Sequence, residues 1–127
     1  MVEKDYLYTK DHEWIKVDGD TATMGITDFA QQELGDITFV EAPEVDSEFA
    51  QGDELGTVES VKSAGDIFCP VSGTVIEVNP ELEDTPELIN QDPYGKGWIC
   101  KLGSINKDET KDLMNADAYE KFIQGQE

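Results

Sequence analysis

At 127 residues with 38% apolar side chains, the chain has enough hydrophobic content to bury a core, which excludes a disordered acidic tail. Its 29 Asp and Glu stand against nine Lys, and the formal net charge of −20 repels nucleic acid and anionic membrane surfaces. No run approaches the roughly 18 apolar residues of a membrane span, and residues 1–5 show neither an apolar secretory core nor a basic transit pattern. The expected location is the cytoplasm, or the mitochondrial matrix where a presequence has been removed, and the expected state is a monomer kept soluble by its own charge.

Glu13–Val17 and Thr21–Ile26 flank Asp18-Gly19-Asp20, which predicts a hairpin with a glycine in its turn. Ala22, Met24 and Ile26 alternate with Thr23 and Gly25, as in a half-buried strand. Thr27 is placed to cap a short helix, Asp28 suits its positive end, and Gly35 suits a left-handed stop. Ala30 and Leu34 then share its buried face. A strand at Ile37–Val40 follows, then a turn at Gly52-Asp53, extended runs at Glu54–Ser60 and Ile67–Cys69, a turn at Pro70–Gly73, and a strand at Thr74–Val78. Asp84–Gly97, polar and carrying Pro86 and Pro93, reads as loop with one helical turn, and Trp98–Leu102 as the last strand. Asn115 and Asp117 supply cap chemistry for a terminal helix whose apolar face is Tyr119, Phe122 and Ile123. Regular short strands between turns predict a compact sandwich or barrel, and no linker divides the chain, so residues 1–127 are expected to form one domain.

A conventional active site is hard to assemble from these residues. His12 is the only histidine, which rules out His-rich metal sites, and a lone His before Trp14 is more often structural. Cys69 and Cys100 are too far apart for a CxxC signature and, sitting in apolar segments without an export signal, read as buried thiols rather than a bridge. Neither a phosphate loop nor a dinucleotide fingerprint is present, and the carboxylates are dispersed as solvated faces. What stands out is Lys62, an isolated cation in Glu59-Ser60-Val61-Lys62-Ser63-Ala64-Gly65-Asp66, followed by small residues in a turn that projects it into solvent.

That segment, followed by Pro70-Val71-Ser72-Gly73, resembles the lipoyl-lysine motif of glycine cleavage system H proteins. Tyr8-Thr9-Lys10-Asp11-His12-Glu13-Trp14, Gly25-Ile26-Thr27-Asp28-Phe29-Ala30-Gln31 with Leu34-Gly35-Asp36, and Asn90-Gln91-Asp92-Pro93-Tyr94-Gly95 with Gly97-Trp98 match further family blocks. The blocks keep order and spacing from about Tyr6 to Ile123. The resemblance implies a mainly β, lipoyl-domain-like barrel-sandwich hybrid of two antiparallel sheets, with short peripheral helices and a C-terminal helix. It implies a non-catalytic carrier whose lipoate is bound covalently at Lys62, attached by a lipoate ligase or a lipoyl/octanoyl transferase. Its implied partners are a pyridoxal-phosphate glycine decarboxylase, a folate-dependent aminomethyltransferase and a flavin dihydrolipoamide dehydrogenase. Glu13 and Asp66 match family positions near the cleft that shelters the loaded arm. Cys69 departs from the small residue common there, and Asp11 stands at a variable position.

Three other readings compete. An H-like protein serving lipoyl relay or another lipoate-dependent system would carry the same hairpin. A biotin carrier normally flanks its lysine with methionines, whereas Val61 and Ser63 flank Lys62 here. A small enzyme lacks a catalytic constellation.

Overall fold

The computed structural model describes residues 2–125. Among the described residues, nine strands form two sheets in which every pairing is antiparallel. They are β1 (Leu7–Tyr8), β2 (Glu13–Asp18), β3 (Thr21–Ile26), β4 (Ile37–Glu41), β5 (Glu48–Phe49), β6 (Glu54–Ser60), β7 (Ala64–Phe68), β8 (Gly73–Val78) and β9 (Cys100–Gly103). The larger sheet runs β1-β2-β3-β9-β8-β5 and the smaller β4-β6-β7. Helices α1 (Asp28–Leu34), α2 (Glu81–Asp84), α3 (Leu88–Gln91) and α4 (Ala116–Gln124), with a 3-10 turn at Lys107–Asp112, lie at the periphery. Among the described residues no helix is long and apolar enough to cross a membrane.

The β2–β3 hairpin closes as expected. Gly19, at φ +62°, opens its two-residue loop and adopts the backbone that a tight hairpin needs there. Ala22, Met24 and Ile26 face the inter-sheet core, where they meet Ile67 and Val58 from the smaller sheet. Burying one such side chain contributes about 2 kcal/mol. The first half of β2 is buried on both faces: Ile15 enters that core while Trp14 enters a second, aromatic cluster with Tyr8 and with Tyr119 of α4. The Tyr8 and Tyr119 rings stack with centroids 4.5 Å apart.

Thr27 caps α1 as predicted, its hydroxyl accepting from the Ala30 N–H at 3.2 Å. The helix stop differs from the expectation. Gly35 has φ +81° and ψ −156°, an extended conformation open essentially to glycine alone, rather than a left-handed turn. Ala30 and Leu34 are only half-buried, because the helix stands off the smaller sheet and leaves a cleft between them.

Further boundaries differ. β7 begins at Ala64 and not at Ile67, since Ala64, Gly65 and Asp66 pair with Glu59, Val58 and Thr57 on β6. The connection after β8 holds two short helices instead of one turn, and β9 starts at Cys100, two residues beyond Trp98. The α4 cap is Asn115, whose side chain accepts from the Ala118 N–H at 2.9 Å. Tyr119 is fully buried on the apolar face of that helix, with Phe122 and Ile123 packed beside it. Cys69 and Cys100 are free thiols in the core, and burial pushes both up to about 12.

Candidate functional site

Lys62 sits at the tip of the β6–β7 hairpin, in a loop of only three residues, Val61–Ser63. Ser60 builds this tip. Its N–H donates to the Ser63 carbonyl at 2.7 Å, and its hydroxyl accepts from the Ser63 N–H at 3.1 Å. Such a hydroxyl turn stiffens a short loop without needing glycine. The tip is also tied to the rest of the protein, since the Val61 N–H donates to the Asp36 carbonyl at 3.1 Å. Val61 is 69% exposed, and Lys62 beside it is exposed and makes no ion pair among the described residues. In the sequence Lys62 is the only lysine between Lys16 and Lys96.

The Lys62 stem lies across the corner between α1 and β4. A Cβ built on Gly35 would stand 3.4 Å from Lys62 Cε and 3.9 Å from Cδ. One residue back, Leu34 forms the wall of a cleft of about 260 Å3 between α1, the start of β2 and the β7 edge. Its apolar lining includes Ile26, Phe29, Ala30, Leu34 and Val58, and its polar lining includes four carboxylates, Asp11, Glu13, Glu33 and Asp66. No lysine lines it. Gly65 keeps the strand side open: a Cβ there would meet Leu34 at 3.9 Å and Val58 at 3.8 Å.

Both acids singled out by the sequence therefore line one cleft, in different states. Asp66 is exposed on β7. Glu13 is 2% exposed, with Oε1 accepting from the Thr9 hydroxyl at 2.5 Å and Oε2 from the Phe68 N–H at 3.2 Å. Thr9 is held in turn by accepting from the Glu13 and Asp11 N–H groups at 3.1 and 3.2 Å. Burial pushes the Glu13 carboxyl up to about 7, against the two hydrogen bonds that favour its anion.

His12 lies against this cleft at φ +69°, its Nδ1 2.8 Å from the Tyr119 hydroxyl, which is itself 2.7 Å from the Thr27 hydroxyl. This chain of polar groups ties β2, α1 and α4 together. The Trp14 indole N–H donates to the Pro93 carbonyl at 2.9 Å and latches the late loop onto the larger sheet. In the sequence Asp11 stands out only as a variable position and Glu33 not at all, and no local signal marks either as lining a cleft. Ser60 was legible as a hydroxyl two residues ahead of the loop lysine. Among the described residues no cluster of three or more His, Cys, Asp or Glu is placed to hold a metal.

Two antiparallel sheets with the braced β6–β7 hairpin at one end form a lipoyl-domain-like barrel-sandwich hybrid, and the fold places the chain in the carrier class of small β proteins. The family model described as glycine cleavage H-protein matches residues 6–126. The glycine cleavage system H protein of Halothermothrix orenii is 52% identical over 123 residues, covering 97% of this chain and 96% of its own. That of Symbiobacterium thermophilum is 54% identical over 121 residues, covering 95% and 94%. A crystal structure of a glycine cleavage system H protein from Mycobacterium marinum superposes with a TM-score of 0.84 at 37% identity, over 93% of this chain and 95% of that one. The chain belongs to the glycine cleavage H-protein family, the lipoyl carrier component of the glycine cleavage system.

Proposed function

We propose that Lys62 is the lipoylated residue and that the whole chain acts as one cytoplasmic, monomeric carrier. In this reading a lipoate ligase or lipoyl/octanoyl transferase acylates the Lys62 amine. The chain then shuttles the aminomethyl group of glycine from a pyridoxal-phosphate glycine decarboxylase to a folate-dependent aminomethyltransferase, and a dihydrolipoamide dehydrogenase resets the cofactor. When attached, the lipoyl group supplies a disulfide–dithiol pair that takes up and releases the cargo. The observation that carries the proposal is the Lys62 stem lying over Gly35, one residue from an acid-lined cleft.

The residues present fit such a group. Amide formation removes the Lys62 charge, taking the net from −20 to −21, and costs no ion pair among the described residues. The braced tip keeps the arm's origin beside the cleft, so a tethered amine meets it at high effective concentration. Asp66 and Glu13, with Asp11 and Glu33, attract that ammonium. Glu13 is well suited to the task, because a carboxyl near 7 ionises readily when a cation arrives beside it. The apolar lining around Phe29 and Leu34 shields the amine from water.

The test is the intact mass of the chain from lipoate-replete cells, alongside Lys62→Arg. A lipoyl adduct on the native chain, absent from the variant, is expected, together with loss of glycine–bicarbonate exchange supported by glycine decarboxylase. An unmodified native chain that still supports exchange would overturn the proposal.

A further inference from the structure

Asn90, on α3, uses its whole amide on the corner that carries the hairpin tip. Its Nδ2 donates to the Gly35 carbonyl and to Gln31 Oε1, each at 2.9 Å, and its Oδ1 accepts from the Ile37 N–H at 2.9 Å. Gly35 and Ile37 flank Asp36, whose carbonyl receives the Val61 N–H, and Gly35 is the residue over which the Lys62 stem lies. Gly35 has no side chain to fix its own position and holds a backbone conformation that only glycine populates. Besides the Gly35 N–H bond to the Gln31 carbonyl and the Ile37–Ser60 pairing of β4 with β6, the corner is held from outside by the Asn90 amide on either side of Asp36.

We infer that Asn90 is a positioning residue for Lys62: by clamping the Gly35–Ile37 corner it holds the acceptor lysine over the lane to the acidic cleft. The plainer alternative is that Asn90 only staples the late loop to α1. That alternative accounts for the bonds to Gln31 and to Gly35, the C-cap of α1, and leaves the bond to the Ile37 N–H on β4 without a role. It does not account for a clamp closing on the two residues around the one carbonyl that braces the tip. The functional consequence rests on the reading of Lys62 as the arm-bearing lysine. The brace itself is a property of the unmodified chain. A pre-ordered tip presents its amine at smaller entropic cost, and losing one ordered side chain's worth of preorganisation, about 1 kcal/mol, corresponds to roughly a fivefold change in rate.

Asn79 supplies the control. It also makes three bonds, donating to the Lys96 and Trp98 carbonyls at 2.8 Å each and accepting from the Glu81 N–H at 3.1 Å, none of them in the hairpin or the corner. In the unmodified full-length chain with 13C-labelled lysine, Lys62 Cε is assigned through Lys62→Arg and its nuclear Overhauser contact with the Gly35 α-protons is measured. The contact is expected in the wild type and in Asn79→Ala, and is expected to fall at least threefold in Asn90→Ala. Should Asn90→Ala fold poorly, Asn90→Asp keeps an oxygen that accepts from Ile37 and replaces the donors by an acceptor oxygen that repels the Gly35 carbonyl and Gln31 Oε1, and the same fall is expected. Enzymatic lipoylation of Lys62 should slow about fivefold in kcat/KM for Asn90→Ala and stay unchanged for Asn79→Ala. Absence of the contact in the wild type, its persistence in Asn90→Ala, its equal loss in Asn79→Ala, or equal lipoylation rates would each overturn the inference. A native chain found unmodified by mass, with the contact pattern as expected, would instead sink the carrier assignment of Lys62 and leave the brace standing.

Discussion

Replacing Glu13 by Gln separates what this carboxyl does for the cleft from what it costs the fold. In the folded chain the group titrates at about 7, against an ordinary 4.5, because it is buried and faces Asp11 as well. Below about 4.5 it is protonated in both states and carries no ionisation cost. Between 4.5 and 7 the unfolded chain releases this proton and the folded chain keeps it, so stability falls as pH rises through that window. The full loss, reached above about 7, amounts to about 3 kcal/mol. Gln cannot ionise, and its carbonyl oxygen can still accept from the Phe68 N–H. Relative to wild type, Glu13→Gln should therefore gain about 2.5 kcal/mol on going from pH 5 to pH 8, whatever its offset at pH 5. Paired urea titrations at the two pH values read this as a relative midpoint shift of about 1–2 M. The remaining carboxylates are common to both chains, so their titration largely cancels in the difference. The same variant should hold an amine-bearing arm less well, trading function for stability. A wild-type-to-variant difference that moves by less than about 0.5 kcal/mol between the two pH values would refute the assignment of a costly buried charge to Glu13.

Gly25→Ala should destabilise the fold by about 1–3 kcal/mol, read by thermal melting, because the added Cβ would stand 2.9 Å from the indole of Trp14, which is pinned to Pro93. Tyr119→Phe deletes the hydroxyl shared by His12 and Thr27 and should cost about 1–2 kcal/mol in urea unfolding, with a cost near zero contradicting the network. Cys69 and Cys100, both pushed up to about 12 by burial, should resist a maleimide at pH 8 in the folded, unmodified chain and react after guanidinium unfolding. Rapid reaction of either thiol in the native chain would place it outside the core.

What could be read directly from the chain was local. Gly19 in its hairpin, Thr27 and Asn115 at their helix starts, and the alternation of Ala22, Met24 and Ile26 each express chemistry contained within a few neighbouring residues. Lys62 belongs to the same class, since Ser60-Val61-Lys62-Ser63 carries its turn and its amine in one segment. Strands whose existence depends on a partner were not legible. β1 and β5 are two residues each, and the Ala64–Asp66 part of β7 has little strand preference of its own but completes the ladder that β6 offers. The cleft is the clearest case. Asp11, Glu13, Glu33 and Asp66 come from three separate stretches of sequence, and only packing α1 off the smaller sheet brings them around one space. The raised Glu13 carboxyl and the Asn90 clamp share that origin: burial and hydrogen bonds across 53 to 59 residues are properties of the packed chain, and no window of sequence contains them.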